Sequence, residues 1–411
     1  MGKGASAPRY KKRIGDKPDQ EPDPKSRALN GEESSASTRE FSKKKVALVL
    51  GYLGTAYQGF QIQPNAVTLE DVLEKAIVKA GGISADNAGN LTKVSWSRAA
   101  RTDKGVHAFG NVVSLKMNPN TTVDQINSHL PDDFRVLDKI KVTKSFHSKQ
   151  MCSSRVYEYL LPSFLLENDL KIGSEEEFRA KYPLPPPDAP EASHHEYLSL
   201  LKSFKASNDA IEELNGILRL YEGTNNFHNF TTRRAPTDAS CKRYIKSFSV
   251  LEPVDIQGVQ FLRLNVHGSS FMLHQIRRMV GGAIAVHRGK ISRDLLSKNG
   301  LFSLRKFGIP TAPSLGLYLL RCVFDTYNSK LEKIGGSDRI PLDLSKLNAS
   351  AAEFRLGRIY PEILRQELAS RSFYEWTATS IYGRTSWDFW DAEQGDCDQA
   401  PQDEELGEDD E

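Results

Sequence analysis

The sequence has 411 residues, 39% of them apolar, which is enough for one large or two medium-sized domains with a buried core. Its net charge is only +2, but the segment 391–411 is acidic, with eleven Asp or Glu and no Lys or Arg. The rest of the chain carries 55 basic and 42 acidic residues, a net charge of +13. Such a charge suits a polyanionic partner or a solvated basic surface. No apolar run approaches the roughly 18 residues of a membrane span. The four cysteines are Cys152, Cys241, Cys322 and Cys397, and none of them forms a CxxC pair. This argues against a zinc finger and for a reduced intracellular protein.

Residues 1–42 are polar, of mixed charge and rich in Pro, Gly and Ser, which predicts a disordered arm. Acidic residues interrupt this arm, so it does not resemble an organelle transit peptide. The basic segment RYKKR, from Arg9 to Arg13, is compatible with nuclear import. At the opposite end, 391–411 has the composition of a disordered acidic tail.

The next part of the chain alternates strands and helices. VALVL at 46–50 predicts a short buried strand, followed by a loop with Gly51, Gly54 and Gly59. An amphipathic helix is predicted after Thr68, and two glycines from Gly81 end it. A short helix is predicted at 124–130, and three further strands are predicted at 111–117, 135–142 and 155–161.

Residues 167–207 interrupt this pattern with the Pro-rich stretch KYPLPPPDAPEASHH, which indicates a surface insertion or a linker. Its adjacent His194 and His195 are expected to be solvent-exposed rather than metal ligands. Helices and strands then resume: helices at 208–220 and 269–291, strands at 244–251, 259–266 and 316–325, and a helical appendage at 351–376. Strands mixed with helices in both halves predict an α/β or α+β protein with two lobes.

The stretch SRAARTDKGVHAFGNVVSL holds one acidic residue, Asp103, among four basic ones: Arg98, Arg101, Lys104 and His107. Taken alone, TDKG is typical of a turn whose carboxylate bonds its own backbone. Nearby cations also favour the ionised carboxylate, which suits a nucleophile or a base and makes a poor general acid. The local sequence does not indicate a hydrolase with paired carboxylates.

Two aromatic motifs have the composition of nucleobase contacts. In RVYEY, Tyr157 and Tyr159 share one face of a strand, either as a half-buried aromatic stripe or as a stacking surface for a base. In YEGTNNFHNFTTRR, Phe227 and His228 either contact a base or belong to a loop anchored by its phenylalanines, and the two arginines could hold phosphates.

Arg277 lies near the apolar stripe of the helix at 269–291 and needs an acidic partner if it faces the core. Asp103 is the candidate partner; alternatively, Arg277 faces water. The Gly-spaced loop lacks the Gly-Lys-Ser/Thr of a phosphate-binding loop and matches no dinucleotide fingerprint, and no metal-ligand spacing stands out. We therefore expect neither a cofactor nor a metal.

Together these motifs resemble the TruA family of tRNA pseudouridine synthases, and within it the eukaryotic pseudouridine synthase 1 branch. ARTDKGVHA is similar to the family signature, RVYEY to its second motif and FMLHQIRRMVGG to its third. The likeness spans residues 43–376, with YLGTAYQGFQIQ at the opening strand, GTNNFHNFT as central loop, GLYL at the closing strand and FRLGRIYPEIL in the C-terminal extension. Leu53 replaces the usual acidic residue of the opening YDG, and His107, where another branch tends to carry Ser, favours the pseudouridine synthase 1 branch.

The resemblance implies that the protein isomerises specific uridines in tRNA, or in other RNAs, to pseudouridine without a cofactor. It implies that Asp103 is the catalytic aspartate, that Arg277 pairs with it, and that Tyr157 packs on the target base and helps to remove the C5 proton. The other expected substrate-binding residues, which would contact the RNA backbone or the base or support the flipped-out geometry, are Arg101, Lys104, His107, Phe227 and His228.

The family fold implies an α+β protein in which two α/β lobes share a mixed, largely antiparallel sheet, with a basic RNA-binding cleft between them. The expected organisation is a disordered arm (1–42), an N-terminal catalytic lobe (43–166), an insertion or linker (167–207), a C-terminal catalytic lobe (208–330), a helical extension (331–390) and an acidic disordered tail (391–411). The eukaryotic branch is expected to act as a monomer, and the expected compartment is the nucleus, with the cytoplasm as a second location.

Three alternatives stay open at this point. One is a non-catalytic RNA-binding protein on the same scaffold, which would tolerate loss of Asp103. Another is a synthase of the same family with a different tRNA position specificity. The third is a nucleotide-dependent enzyme built on the Gly-spaced loop.

Overall fold

The computed structural model describes residues 42–167, 172–185, 192–334, 340–347, 349–384, 386–387 and 389–390. The predicted acidic tail, and the predicted arm except for Ser42, lie outside these residues. None of the helices in the described ranges is long and apolar enough to cross a bilayer.

The described residues form eleven strands and eleven α-helices. The strands are β1 Lys44–Tyr52, β2 Ser97–Arg98, β3 His107–Met117, β4 Phe134–Lys141, β5 Ser154–Pro162, β6 Gly223–Asn226, β7 Lys242–Ile256, β8 Val259–Gly268, β9 Lys306–Phe307, β10 Leu317–Val323 and β11 Phe389–Trp390. The helices are α1 Leu69–Lys79, α2 Val123–Asn127, α3 Ser148–Met151, α4 Glu175–Lys181, α5 Ala192–Ser203, α6 Asn208–Leu218, α7 Gln275–His287, α8 Asp325–Ile334, α9 Ala349–Phe354, α10 Tyr360–Ser370 and α11 Ser372–Trp376.

Nine of these strands form one mixed sheet in the order β4-β1-β3-β10-β5-β8-β7-β6, with β2 paired to β3. Among the described strands, β10 and β3 pair in parallel and the other neighbours pair antiparallel. The predicted α+β class, with a mixed and largely antiparallel sheet, is confirmed. β9 and β11 form a separate two-stranded pair.

The apolar core has two clusters, and the central strand β10 contributes to both. The apolar run VALVL is buried on both faces of β1, as suits a strand of a sheet that is covered on both sides, and it lies in the first cluster together with Leu319 of β10. Tyr318, the neighbouring residue of β10, belongs to the second cluster, which also includes Ile363 of α10. Because side chains alternate along a strand, β10 joins the two cores across the sheet.

Residues 167–207, predicted as an insertion or linker, contain the helices α4 and α5. Phe178 of α4 and Tyr197 of α5 are fully buried. The ring of Phe178 lies 5.2 Å from that of Tyr374 in α11, and the Tyr197 hydroxyl donates a hydrogen bond to Glu367 of α10. This segment therefore packs against the C-terminal helices, which lie far away in sequence.

Candidate active site

Asp103 lies in a tight turn in the loop between β2 and β3. The N–H of Val106 donates to the carbonyl of Asp103 at 3.2 Å, and Gly105 has a φ of +77°, a conformation that favours glycine. Asp103 is half-buried, whereas Arg101 and Lys104 are exposed. The turn predicted from TDKG is confirmed, and two exposed cations flank the carboxylate in sequence.

The loop after β1 holds this turn in place. Thr102, next to Asp103, is buried; its hydroxyl shares a hydrogen bond of 2.9 Å with that of Tyr52, and its carbonyl accepts the N–H of Phe60 at 3.0 Å. Gly59 has a φ of +87°, and a Cβ there would lie 3.1 Å from the carbonyl oxygen of Thr102. The Gly-spaced loop therefore supports the turn of Asp103 by close backbone contact.

His107 contributes to the same support from the start of β3. Its side chain is fully buried, its Nδ1 accepts the N–H of Gly54 at 3.0 Å, and burial lowers its pKa to about 4. The neutral imidazole brings no charge to a phosphate, and contact of His107 with the RNA backbone stays a prediction. The alternative role, support of the active-site geometry, fits the bond to Gly54.

Tyr157 lies in the middle of β5, opposite Val266 of β8 and Leu319 of β10. It is half-buried and meets Phe271 edge-to-face, with ring centroids 5.3 Å apart. Burial holds the pKa of its phenol well above the ordinary value, and the negative charge of Asp103 acts in the same direction. The phenol is therefore protonated at neutral pH, which suits stacking on a base better than accepting a proton.

Arg277 lies in the first turn of α7. Its Nε donates to the carbonyl of Ala312 at 2.6 Å, and its own carbonyl accepts the N–H of Ala312 at 3.2 Å. Burial holds the pKa of Tyr159 well above its ordinary value, and the charge of Arg277 lowers it by a smaller amount. Arg277 is thus close to the strand face that Tyr157 and Tyr159 share, and its pairing with Asp103 stays a prediction.

Arg155 joins the segments that carry these residues, and the sequence analysis did not single it out. Its Nη2 donates to the carbonyl of Ala99 at 2.7 Å, and its Nη1 donates to the carbonyl of Ser269 at 2.9 Å. Ala99 leads into the Asp103 turn, and Ser269 leads into α7. Arg155 also shares a face of β5 with Tyr157, because it lies two residues before the tyrosine. This spacing is the sequence feature from which its place at the site could have been predicted.

Behind Tyr157, the opposite face of β5 carries a buried carboxylate. Glu158 is fully buried and bonds to Arg263 at 3.0 Å, to the hydroxyl of Tyr318 at 2.6 Å and to the hydroxyl of Tyr360 at 2.7 Å. A buried carboxylate requires such partners. Because Tyr360 begins α10, the C-terminal extension contacts the strand that carries Tyr157.

Phe227 and His228 are buried in the segment between β6 and β7, and their contact with a base stays a prediction. Phe227 is fully buried, with its ring 5.4 Å from that of Phe230 and 5.3 Å from that of Phe302. His228 is 4% exposed, bonds to the carbonyl of Arg305 at 3.2 Å, and has a pKa lowered by burial. These ring contacts favour the alternative, a loop anchored by its phenylalanines.

The structure describes only one side chain of the histidine pair in the insertion. His195 is exposed on α5, as predicted, and the side chain of His194 lies outside the described residues. Within the part of the chain that the structure describes, no three His, Cys, Asp or Glu side chains are grouped to hold a metal ion.

Comparison with known proteins gives a family model and several curated relatives. A family model described as tRNA pseudouridine synthase matches residues 217–325, a range that includes Arg277 but neither Asp103 nor Tyr157. The tRNA pseudouridine synthase 1 of Candida albicans is 35% identical over 401 residues, covering 81% of this chain and 65% of the relative. The chain thus spans slightly less than two thirds of that relative's own length.

Two other relatives are covered more fully. The tRNA pseudouridine synthase 1 of Yarrowia lipolytica is 35% identical over 389 residues, covering 81% of this chain and 73% of the relative. The pseudouridylate synthase 1 homolog of Mus musculus is 34% identical over 357 residues, covering 85% of this chain and 77% of the relative. These alignments extend well beyond the range of the family model.

Proposed function

We infer, because this chain belongs to the tRNA pseudouridine synthase family, that it isomerises uridine to pseudouridine in tRNA and that Asp103 is its catalytic carboxylate. One observation carries the assignment: Arg155 bonds to Ala99 and to Ser269, so the segments leading to Asp103 and Arg277 meet beside Tyr157. An RNA-binding protein without activity would need no such arrangement.

The reaction is an internal rearrangement of the nucleoside. The N1–C1′ bond breaks, the uracil turns within the site, and C5 bonds to C1′; C5 then loses its proton and N1 gains one. No electron or external group enters, so the residues of the chain need only orient the base and handle charge and protons. Asp103 acts in its ionised form, which the cations beside it favour.

The remaining roles follow from exposure. A uridine within a stack must be extruded before reaction, at a cost of a few kcal/mol. Arg101 and Lys104 are exposed beside Asp103 and can offset this cost by binding the flanking phosphates. Tyr157, held edge-on by Phe271, offers a ring to the extruded uracil.

Replacing Asp103 by Asn tests the assignment. We expect tritium release from tRNA labelled at uridine C5 to slow by about 10²- to 10⁴-fold, because the essential carboxylate is gone, while tRNA affinity changes little. Asp86→Asn, at an exposed loop position, removes the same charge and should behave like the wild type. Release by Asp103→Asn near the wild-type rate would rule out the catalytic role.

We also propose that the protein acts as a monomer, that RNAs other than tRNA are substrates, and that it works in the nucleus. Mapping pseudouridines across the transcriptome with and without the protein would identify the RNAs. The nuclear proposal rests on RYKKR; a fluorescent fusion in which Lys11, Lys12 and Arg13 are replaced by Ala should lose its nuclear signal.

A further inference from the structure

A stripe of exposed cations surrounds a tyrosine near one end of β7. Lys242 and Lys246 are exposed and Tyr244 between them is 47% exposed, whereas Ile245 is fully buried. Side chains at every second position of a strand point the same way, so Lys242 and Tyr244 share one face. Lys246 lies where the pairing of β7 with β8 shifts register, between Ile245 and Ser247, and its contact with Ser154 places it in the same row. We call this row, with two neighbouring residues, the cationic stripe: Lys242, Tyr244, Lys246, His267 and Arg321.

Hydrogen bonds place the cationic stripe on the sheet face opposite Tyr157. Lys246 Nζ donates to the hydroxyl of Ser154 at 3.4 Å, and that hydroxyl bonds to Nε2 of His267 at 2.8 Å. Ser154 and Tyr157 lie three positions apart on β5 and therefore point to opposite faces. The cationic stripe is thus separate from the face that carries the candidate active site.

The charges of the stripe have little compensation from acidic groups. Burial lowers the pKa of His267, and the charges of Lys246 and Arg321 lower it further, whereas the exposed Asp325 acts the other way as the smallest effect. Among the ion pairs of the described residues, none involves Lys242, Lys246 or Arg321. Like charges held together without acidic partners favour an anionic ligand.

We propose that the cationic stripe binds the substrate RNA away from the target uridine, with its cations on phosphates and Tyr244 stacked on an unpaired base. Cations interleaved with an aromatic ring are the combination that RNA backbones and bases require. This inference rests on the proposed function, since the ligand is the same RNA. Ser154, beside the stripe, lies three residues before Tyr157 on β5, and three residues of strand span about 10 Å. An RNA bound at Tyr157 can therefore extend around the end of β5 and reach the stripe on the other face.

The test compares a full-length tRNA with a short stem-loop that holds the same target uridine. In Lys242→Ala/Lys246→Ala, we expect the KM for the tRNA to rise about tenfold at ~0.1 M salt, with kcat unchanged and the slope of log affinity against log salt reduced by about two. The stem-loop, which is too short to reach the stripe, should keep its KM. Tyr244→Ala should weaken tRNA binding and Tyr244→Phe should not, because the stacking ring remains.

The matched control is Lys79→Ala/Lys202→Ala, which removes two exposed charges elsewhere and should resemble the wild type. An unchanged KM for both RNAs would overturn the inference, and so would an equal rise for both, since the stripe would then belong to the catalytic cleft. A higher affinity would also overturn it, because the stripe would then hold another anion, such as the acidic segment 391–411. In all three cases, activity on the stem-loop would leave the proposed function standing.

Discussion

Arg155 is the residue on which the geometry of the candidate site depends most directly. A guanidinium has several donors in a fixed plane and can bind two carbonyls at once, whereas a lysine ammonium is a single centre. The two carbonyls belong to Ala99 and Ser269. We therefore propose that Arg155 positions Asp103 and Arg277, so that its effect on the reaction would pass through them.

We expect Arg155→Lys to lower kcat by about 10- to 100-fold, because a small displacement of reacting groups is enough for such a loss. KM for tRNA should change little, since Arg101 and Lys104, the proposed phosphate contacts, are unchanged. Steady-state kinetics over a range of tRNA concentrations measure kcat and KM separately. Arg135→Lys, at a surface ion pair with Asp132, is the matched control.

A fall in the melting temperature without a fall in kcat would show that Arg155 matters only for stability. An equal loss of kcat in Arg135→Lys would point to a general effect of removing arginine. Neither outcome is expected, because the bonds of Arg155 lead to the two segments that carry the proposed catalytic residues Asp103 and Arg277.

At the residue scale, the sequence predicted the turn of Asp103 and the tyrosine face of β5 but not the burial of Phe227 and His228. A loop rich in aromatic and polar residues has the same composition whether it contacts a base or fills a core. The difference here comes from Phe302 and the carbonyl of Arg305, more than seventy positions downstream. A local motif contains no information about such partners.

At the scale of elements, α10 connects the two supports of the site. Its Tyr360 bonds to Glu158 behind Tyr157, and its Glu362 accepts the hydroxyl of Thr55 at 3.2 Å, in the loop that supports the Asp103 turn. The sequence predicted a helical appendage here but could not show what it contacts. The extension is therefore part of the framework of the site.

The helices of the extension also predict a pH dependence of stability. Glu367 of α10 is fully buried, accepts the N–H of Phe373 at 3.0 Å and bonds to Tyr197. Burial raises its pKa from 4.5 to about 8. Because the folded state then binds the proton more tightly than the unfolded chain, stability from this group is complete below pH 4.5 and is lost as the pH rises to 8.

Glu367→Gln should remove this decline, since the amide mimics the protonated acid at every pH. Relative to the wild type, the free energy of unfolding of the variant should increase between pH 5 and pH 8, by about 1.4 kcal/mol for each unit of pKa shift that is removed. Urea unfolding across this range measures the difference. Glu196→Gln, at an exposed position of α5, should follow the wild type, and parallel curves for Glu367→Gln would contradict the prediction.

At the scale of the whole molecule, the helices that follow β10 bear on the oligomeric state. The extension buries apolar side chains against the rest of the chain, among them Tyr360, Ile363 and Phe373. Surface covered in this way is not available to a second copy. In sedimentation equilibrium, we expect one species of 45.9 kDa over a wide concentration range.

A mass that rises toward twice this value with concentration would contradict the monomer. Substituting Ile363 would be a poor test, because it removes a core side chain and lowers stability as well. The more informative control is the same measurement with tRNA added, which separates self-association from binding of two chains to one RNA.

The class of fold followed from sequence, but the order of strands did not. Alternating elements in both halves predicted an α+β protein, since local pattern decides which segments form strands. Pairing depends on partners far apart: β10, from residue 317 onward, lies between β3 and β5, which precede it by more than 150 positions. Patterning within each strand gives no sign of this placement.

The position of β10 has a consequence for the growing polypeptide. Asp103, Tyr157 and Arg277 are all translated before Leu317, the first residue of the strand that separates β3 from β5. Until β10 inserts, the turn of Asp103 and the strand of Tyr157 have no shared neighbour in the sheet. A nascent chain therefore contains the whole proposed catalytic set well before it has a working centre, and products that end before residue 317 should remain inert.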